Sequence, residues 1–193
     1  MAAPGREIRI QHRGLQVVGN EQAISFHGET FPLAEVDRVA YRAVASRVNG
    51  AYMGTSFWLR LGRPGKTSQF MLDGGSRDKR LDEFQAAWSG LVDLVEAAVC
   101  PRLAQQAVTT ISAGGTVTYG SIVAGPDGVK ARRPLAKTIP WADVTGTQVN
   151  NVGIMQVLVR QSGGKTKGKL SAGLDQWNTV VLPRVVRHLA RGT

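Results

Sequence analysis

The sequence has little of what several protein classes require. Cys100 is its only cysteine among 193 residues, which excludes an internal disulfide framework and a multi-cysteine zinc site. No run approaches the roughly 18 apolar residues of a membrane-spanning helix, and the first residues lack the apolar stretch of a signal peptide. Hydrophobic residues nevertheless make up 42% of the chain, which is enough to bury a core. We therefore expect a globular, cytoplasmic protein in which Cys100 is a small buried residue.

Signatures of catalysis are missing as well. The three histidines form no pair with metal-ligand spacing, and no Gly-x-Ser-x-Gly nucleophile motif occurs. Two Gly-Lys-Thr triplets, at 65–67 and 164–166, suggest a phosphate-binding loop, but that loop needs a glycine five residues before its Gly-Lys pair. Arg60 and Val159 occupy those positions. We expect both triplets to form hairpin turns, and the protein to be non-enzymatic, with neither a metal nor a cofactor.

Acidic residues are scarce in the second part of the chain. Lys plus Arg number 24 and Asp plus Glu 14, a net charge of +10. Residues 113–193 hold 11 basic and three acidic residues, whereas residues 1–112 hold 13 and 11. A field concentrated in this way raises the local concentration of anionic partners and speeds their association. Ordinary solubility explains the same surplus.

Four short blocks occur twice in the same order. Phe31-Pro32-Leu33-Ala34-Glu35-Val36 matches Ile139-Pro140-Trp141-Ala142-Asp143-Val144 position by position in character. Four ordered matches are hard to obtain by chance, so we infer a duplicated unit. The other three pairs of blocks are 17–20 with 123–126, 57–67 with 156–166, and 81–84 with 174–177.

Each copy contains short apolar or alternating runs, which are typical of strands, and then an amphipathic helix. In the first copy the helix is predicted from about Asp78 to Val99, and Pro101 either ends it or opens a new one, since 102–112 is helix-compatible. The predicted strands are 7–11, 15–18, 22–27, 36–43, 56–61 and 68–72 in the first copy, and 116–124, 129–133, 138–139, 144–149, 155–160 and 165–170 in the second.

The final helix of the second copy is less regular because it contains Pro183. A proline inside a helix removes a hydrogen bond, so the helix either begins late, near Thr179, or is kinked. We expect Phe84 and Trp177 to begin equivalent helices in the two copies and to anchor the two cores.

The second copy resembles a pleckstrin-homology-like (PH-like) domain of the small bacterial kind. The residues that carry the resemblance are Thr116-Val117-Thr118-Tyr119-Gly120, Gly125-Pro126-Asp127-Gly128-Val129, the Ile139–Val144 block and the closing helix from Trp177. In the first copy Leu33 replaces the Trp, and the middle is longer. The resemblance implies two packed antiparallel sheets, closed at one open corner by the helix.

We therefore predict a mainly β fold with C-terminal helices (α+β), in which two PH-like β-sandwich or barrel modules stand in tandem. The first module spans residues 1–100, a helical linker spans 101–114, and the second, basic module spans 115–193.

Basic residues alternate along two predicted strands of the second copy. Strict alternation predicts that the lysines of 165–170 share one sheet face. An exposed strand that lysines protect against unwanted pairing gives the same pattern. The candidate residues for an anionic partner are Lys130, Arg132, Arg133, Lys137, Lys165, Lys167 and Lys169.

These observations favour a binding or scaffold protein. A protein partner comes first, because PH-like folds bind peptides along a sheet edge or in the groove beside the helix. An anionic lipid surface comes second, which would place the protein at the inner face of the membrane as a peripheral protein. Nucleic acid is the alternative, although exposed stacking aromatics are not evident. The high use of Ala, Arg, Val and Gly is typical of a GC-rich bacterial source.

Overall fold

The computed structural model describes residues 7–12, 14–75, 78–161 and 163–190. The chain divides into two compact units, Met1–Cys100 and Pro101–Thr193. Most elements in the described ranges are antiparallel strands, and the last element of each unit is a helix. The predicted mainly β, α+β class is therefore confirmed.

The first unit consists of two antiparallel sheets followed by a helix. The four-stranded sheet contains β1 (Ile8–His12), β2 (Leu15–Gly19), β3 (Ala23–Phe26) and β4 (Glu29–Pro32), in that order. The three-stranded sheet contains β5 (Arg38–Val48), β6 (Ala51–Arg63) and β7 (Lys66–Gly75), and helix α1 (Leu81–Ala98) follows it.

Buried apolar side chains at alternate positions of β6 and β7 form much of the core of the first unit. Phe57 pairs with Leu72, and Leu59 pairs with Phe70. All four side chains are buried. Directly paired residues of antiparallel strands project to one face of the sheet, so this face becomes continuous and apolar.

Helix α1 packs on β1, β6 and β7. Its predicted apolar face is confirmed at Phe84, Leu91 and Val95, which are buried. Two glycines let the helix come close, since a Cβ at Gly19 would overlap Leu91 and one at Gly90 would lie 2.7 Å from Cδ1 of Ile8. Burial of each large apolar side chain contributes roughly 1.5–3 kcal/mol.

The second unit has two three-stranded antiparallel sheets. Helix α2 (Cys100–Ser112) precedes β8 (Val117–Tyr119), β9 (Ile122–Gly125) and β10 (Gly128–Ala131), which form one sheet with β9 in the middle. The other sheet contains β11 (Val144–Val149), β12 (Ile154–Arg160) and β13 (Thr166–Gly173), with β12 in the middle. A 3-10 turn (Thr179–Val181) leads into α3 (Leu182–Leu189).

The matched blocks lie at corresponding places in the two units. The N–H of Glu35 donates to the carbonyl of Pro32 at 2.9 Å, and the N–H of Asp143 donates to that of Pro140 at 3.0 Å. Each turn connects the first sheet to the first strand of the second. The Gly-Lys-Thr triplets lie at the β6–β7 and β12–β13 hairpins, which confirms the prediction that they form turns.

Several predicted strand boundaries were wrong. β4 was not predicted, and β5 and β6 are longer than the predicted 36–43 and 56–61. The predicted strand 116–124 is two strands, because Gly120 turns between β8 and β9 with φ of 58°. Glycine adopts this left-handed conformation without the steric cost that a Cβ brings.

The equivalence of Phe84 and Trp177 was also wrong. Trp177 is half-buried and lies in a turn before α3, so it does not begin a helix. The helix begins late, at Leu182, because Pro183 fits the first turn, where its missing N–H costs no hydrogen bond. At the other proline a new helix opens, since Pro101 lies in the first turn of α2. Cys100 is buried, as expected.

Candidate docking sites in the second unit

The seven predicted basic residues are all exposed. Within the described ranges, no side chain of the seven has an ion-pair or hydrogen-bond partner. Several basic residues of the first unit are paired by contrast, as in Arg63 with Glu35 and Arg80 with Glu83, both at 2.7 Å. Residues 101–193 hold 12 basic and three acidic residues, so most of these cations lack an acidic neighbour.

A cavity of about 420 Å³ brings three of the seven together, Arg133, Lys137 and Lys169. Ile139, Val159 and Leu170 give it an apolar wall. Asp143, which was not predicted, also lines it. The cavity therefore offers cations and apolar surface to a ligand that is anionic and partly apolar.

The other four residues lie elsewhere. Lys130 lines a separate cavity of about 80 Å³ together with Asp127. Arg132, Lys165 and Lys167 line neither cavity. A β-bulge explains why the lysines of β13 separate, because Lys167 pairs with Val159 while Lys169 falls in the register shift opposite β12. The strict alternation from which one shared face was predicted does not hold there.

The loop after β10 holds an unusual leucine. The N–H of Ala136 donates to the carbonyl of Arg133 at 3.4 Å, so Pro134 and Leu135 are the central residues of a turn. Leu135 has φ of 57°, a conformation that costs a residue with a Cβ roughly 1–2 kcal/mol. The other described non-glycine residues with positive φ are His27, Asn49 and Asn178, types that tolerate this region better. Leu135 is also fully exposed, at 104%.

A groove of about 210 Å³ lies between β11 and α3. Val144, Pro183 and Val186 give it apolar surface, Thr147 lies along its strand side, and Arg187 adds a cation. Sequence reasoning placed a site beside the helix only in general terms and named none of these residues. Strand and helix are about 40 residues apart in sequence, so only the fold brings them together.

β11 is one of the two edge strands of its sheet, and β13 is the other. The N–H of Asn150 donates to the carbonyl of Ile154 on β12 at 3.0 Å. Residues of an antiparallel strand alternate between bonding to the neighbour and facing away, so the backbone groups of Thr147 and Val149 face outward. This edge can accept another strand.

Two buried hydroxyls of the second unit, those of Tyr119 and Thr179, have no hydrogen-bond partner among the described residues. Burial raises the pKa of Tyr119 well above its ordinary value. Neither hydroxyl was predicted from the sequence to be buried, because a buried hydroxyl gives no pattern in a single chain.

Comparison with known proteins adds no relative, since no family model, curated protein or solved structure matches the chain. In the described part of the chain, no three His, Cys, Asp or Glu side chains are grouped so that they could hold a metal ion. The same residues contain no helix long and apolar enough to cross a membrane.

Proposed function

We propose that the protein is a non-enzymatic docking protein built from two PH-like modules. The order of elements supports this proposal. Four strands, three strands and a helix follow one another in the first unit, and three strands, three strands and a helix follow α2 in the second. An isolated bridge between Val129 and Ile139 stands in the second unit where the β3–β4 pairing stands in the first.

The second module binds an extended, acidic segment of a protein partner along β11. The observation that carries this proposal is the unpaired edge of β11 beside the groove of α3. An added strand would bond to the outward backbone groups of Thr147 and Val149, and its alternate side chains would enter the groove. Arg187 and the surrounding positive surplus favour acidic residues in that segment.

Selection from a displayed library of linear peptides tests this proposal with the full chain as bait. We expect the selected peptides to be rich in Asp and Glu and free of proline at alternate positions. Thr147→Pro removes one outward N–H and should lower peptide affinity at least about tenfold, the equivalent of roughly 1.4 kcal/mol. Thr147→Val keeps the N–H and is the matched control.

Equal peptide binding by Thr147→Pro and Thr147→Val would show that β11 accepts no strand. Arg187→Gln should weaken the binding of acidic peptides and leave the binding of a neutral analogue unchanged. This variant therefore separates the contribution of the cation from that of the backbone hydrogen bonds. If the library yields no ligand and a single-stranded oligonucleotide binds instead, with an affinity that falls steeply with salt, the nucleic-acid alternative replaces the proposal.

A further inference from the structure

The loop between β10 and Ile139 combines features that peptide docking at β11 does not use. Residues 132–137 read Arg-Arg-Pro-Leu-Ala-Lys, with three cations and no acid. The three cations are exposed, and within the described ranges their side chains have no partner. Leu135 stands at the tip of this turn, fully exposed.

Leucine is an unfavourable residue at position 135, which suggests that its side chain has a function. The third position of such a turn has positive φ and favours glycine or asparagine. A leucine there keeps its side chain in water and adopts an unfavourable backbone, and it gains nothing in the free chain. Entry of the side chain into an apolar environment would gain free energy that offsets the cost of the backbone conformation.

We infer that this loop is a membrane-insertion element, in which Leu135 enters the interface of an anionic bilayer while Arg132, Arg133 and Lys137 contact lipid phosphates. A convex tip suits a bilayer, because acyl chains take up an apolar side chain while headgroups surround it with negative charge. Nucleic acid would match the cations but offers phosphates where Leu135 needs apolar contacts. The positive surplus of residues 101–193 adds long-range attraction to the same surface.

Co-sedimentation of the full chain with vesicles tests the inference. The vesicles are made of phosphatidylcholine alone or of phosphatidylcholine mixed with phosphatidylserine, at low ionic strength. We expect the protein to bind the mixed vesicles and not the neutral ones, and to be released by added salt. No peptide is present, so the outcome is independent of docking at β11.

Leu135→Asn separates insertion from charge attraction. Asparagine tolerates positive φ, so this variant should fold at least as stably as the wild type. We expect it to partition into mixed vesicles roughly tenfold more weakly, since it lacks the apolar side chain. Val152→Asn is the matched control, because Val152 is also exposed, at 52%, in another turn of the same unit, and its partitioning should be unchanged.

Neutralising the cations tests the other half of the inference. The triple variant Arg132→Gln, Arg133→Gln and Lys137→Gln should lose about fivefold in partitioning for each charge removed. Equal partitioning of Leu135→Asn and the wild type would overturn the insertion. Failure of the wild type to bind the mixed vesicles, or equal binding to neutral ones, would overturn the whole inference.

Discussion

The hydroxyl of Tyr119 shows how a single buried group can limit stability. The residue is 1% exposed, and its hydroxyl has no partner among the described residues. A buried polar group without a hydrogen bond costs about 1–3 kcal/mol, because it leaves water and gains no bond. Tyr119→Phe removes the hydroxyl and keeps the ring.

We predict that Tyr119→Phe melts at the same temperature as the wild type or higher at neutral pH. Because burial raises the pKa of Tyr119 in the folded state, an unfolded tyrosine ionises at about pH 10 while the folded one stays neutral. Ionisation of the unfolded tyrosine therefore favours unfolding, so the folded state keeps its stability below about pH 10 and loses stability as the pH rises further. The variant should lose less stability above that pH. A large drop in its melting temperature at neutral pH would show that the hydroxyl is satisfied.

At the scale of elements, the contact between β10 and Ile139 depends on Gly128. Val129 and Ile139 exchange two backbone hydrogen bonds, at 2.9 and 2.8 Å. A Cβ at Gly128 would overlap the carbonyl oxygen of Ile139 and lie 2.9 Å from Cα of Pro140. Its φ of 140° is unfavourable for any other residue as well.

We predict that Gly128→Ala destabilises the second unit by more than about 2 kcal/mol, because backbone must move to admit the methyl group. Gly164→Ala is the control. Gly164 also has positive φ, at 79°, but open space around its Cβ position, so it should lose only about 1 kcal/mol. Urea unfolding of both variants measures the difference, and equal losses would contradict the close approach.

The elements that could be predicted from the sequence are those whose apolar residues recur at a regular helical or strand spacing. The apolar face of α1 and the buried residues of β6 follow from spacing alone. The outer part of the β5–β6 hairpin was missed because its side chains are mostly exposed and do not alternate. Asn49-Gly50, with φ of 49° and 81°, was the available signal, since this pair favours tight hairpin turns.

The sites were less predictable than the strands. Charge and alternation in the sequence selected the seven basic residues, and their exposure is confirmed, while their binding of an anionic partner stays a prediction. The groove residues Val144, Pro183 and Val186 are ordinary apolar residues in the sequence, and only the packing of α3 on β11 gives them a role. The shared face predicted for the lysines of β13 was wrong for a local reason. A β-bulge shifts the register around Lys169, and a bulge cannot be inferred from alternation in the sequence.

At the scale of the whole molecule, the two units share a plan and differ in charge. Residues 1–100 hold 12 basic and 11 acidic residues, and residues 101–193 hold 12 and three. Because fold alone does not determine function, we use this difference in charge to place the proposed anionic partner at the second unit. In this proposal the positive field speeds encounter and selects the sign of the partner's charge, while the groove and the strand edge set the specificity.

Chemical-shift mapping on the full chain tests this account most directly. A selected acidic peptide is titrated into ¹⁵N-labelled protein, and the perturbed backbone amides are identified. We predict that the largest changes fall on 144–149 and 182–190, with the outward amides of Thr147 and Val149 gaining hydrogen bonds. Changes confined to the first unit, or to the loop at 132–137, would contradict the claim that β11 and α3 form the docking site.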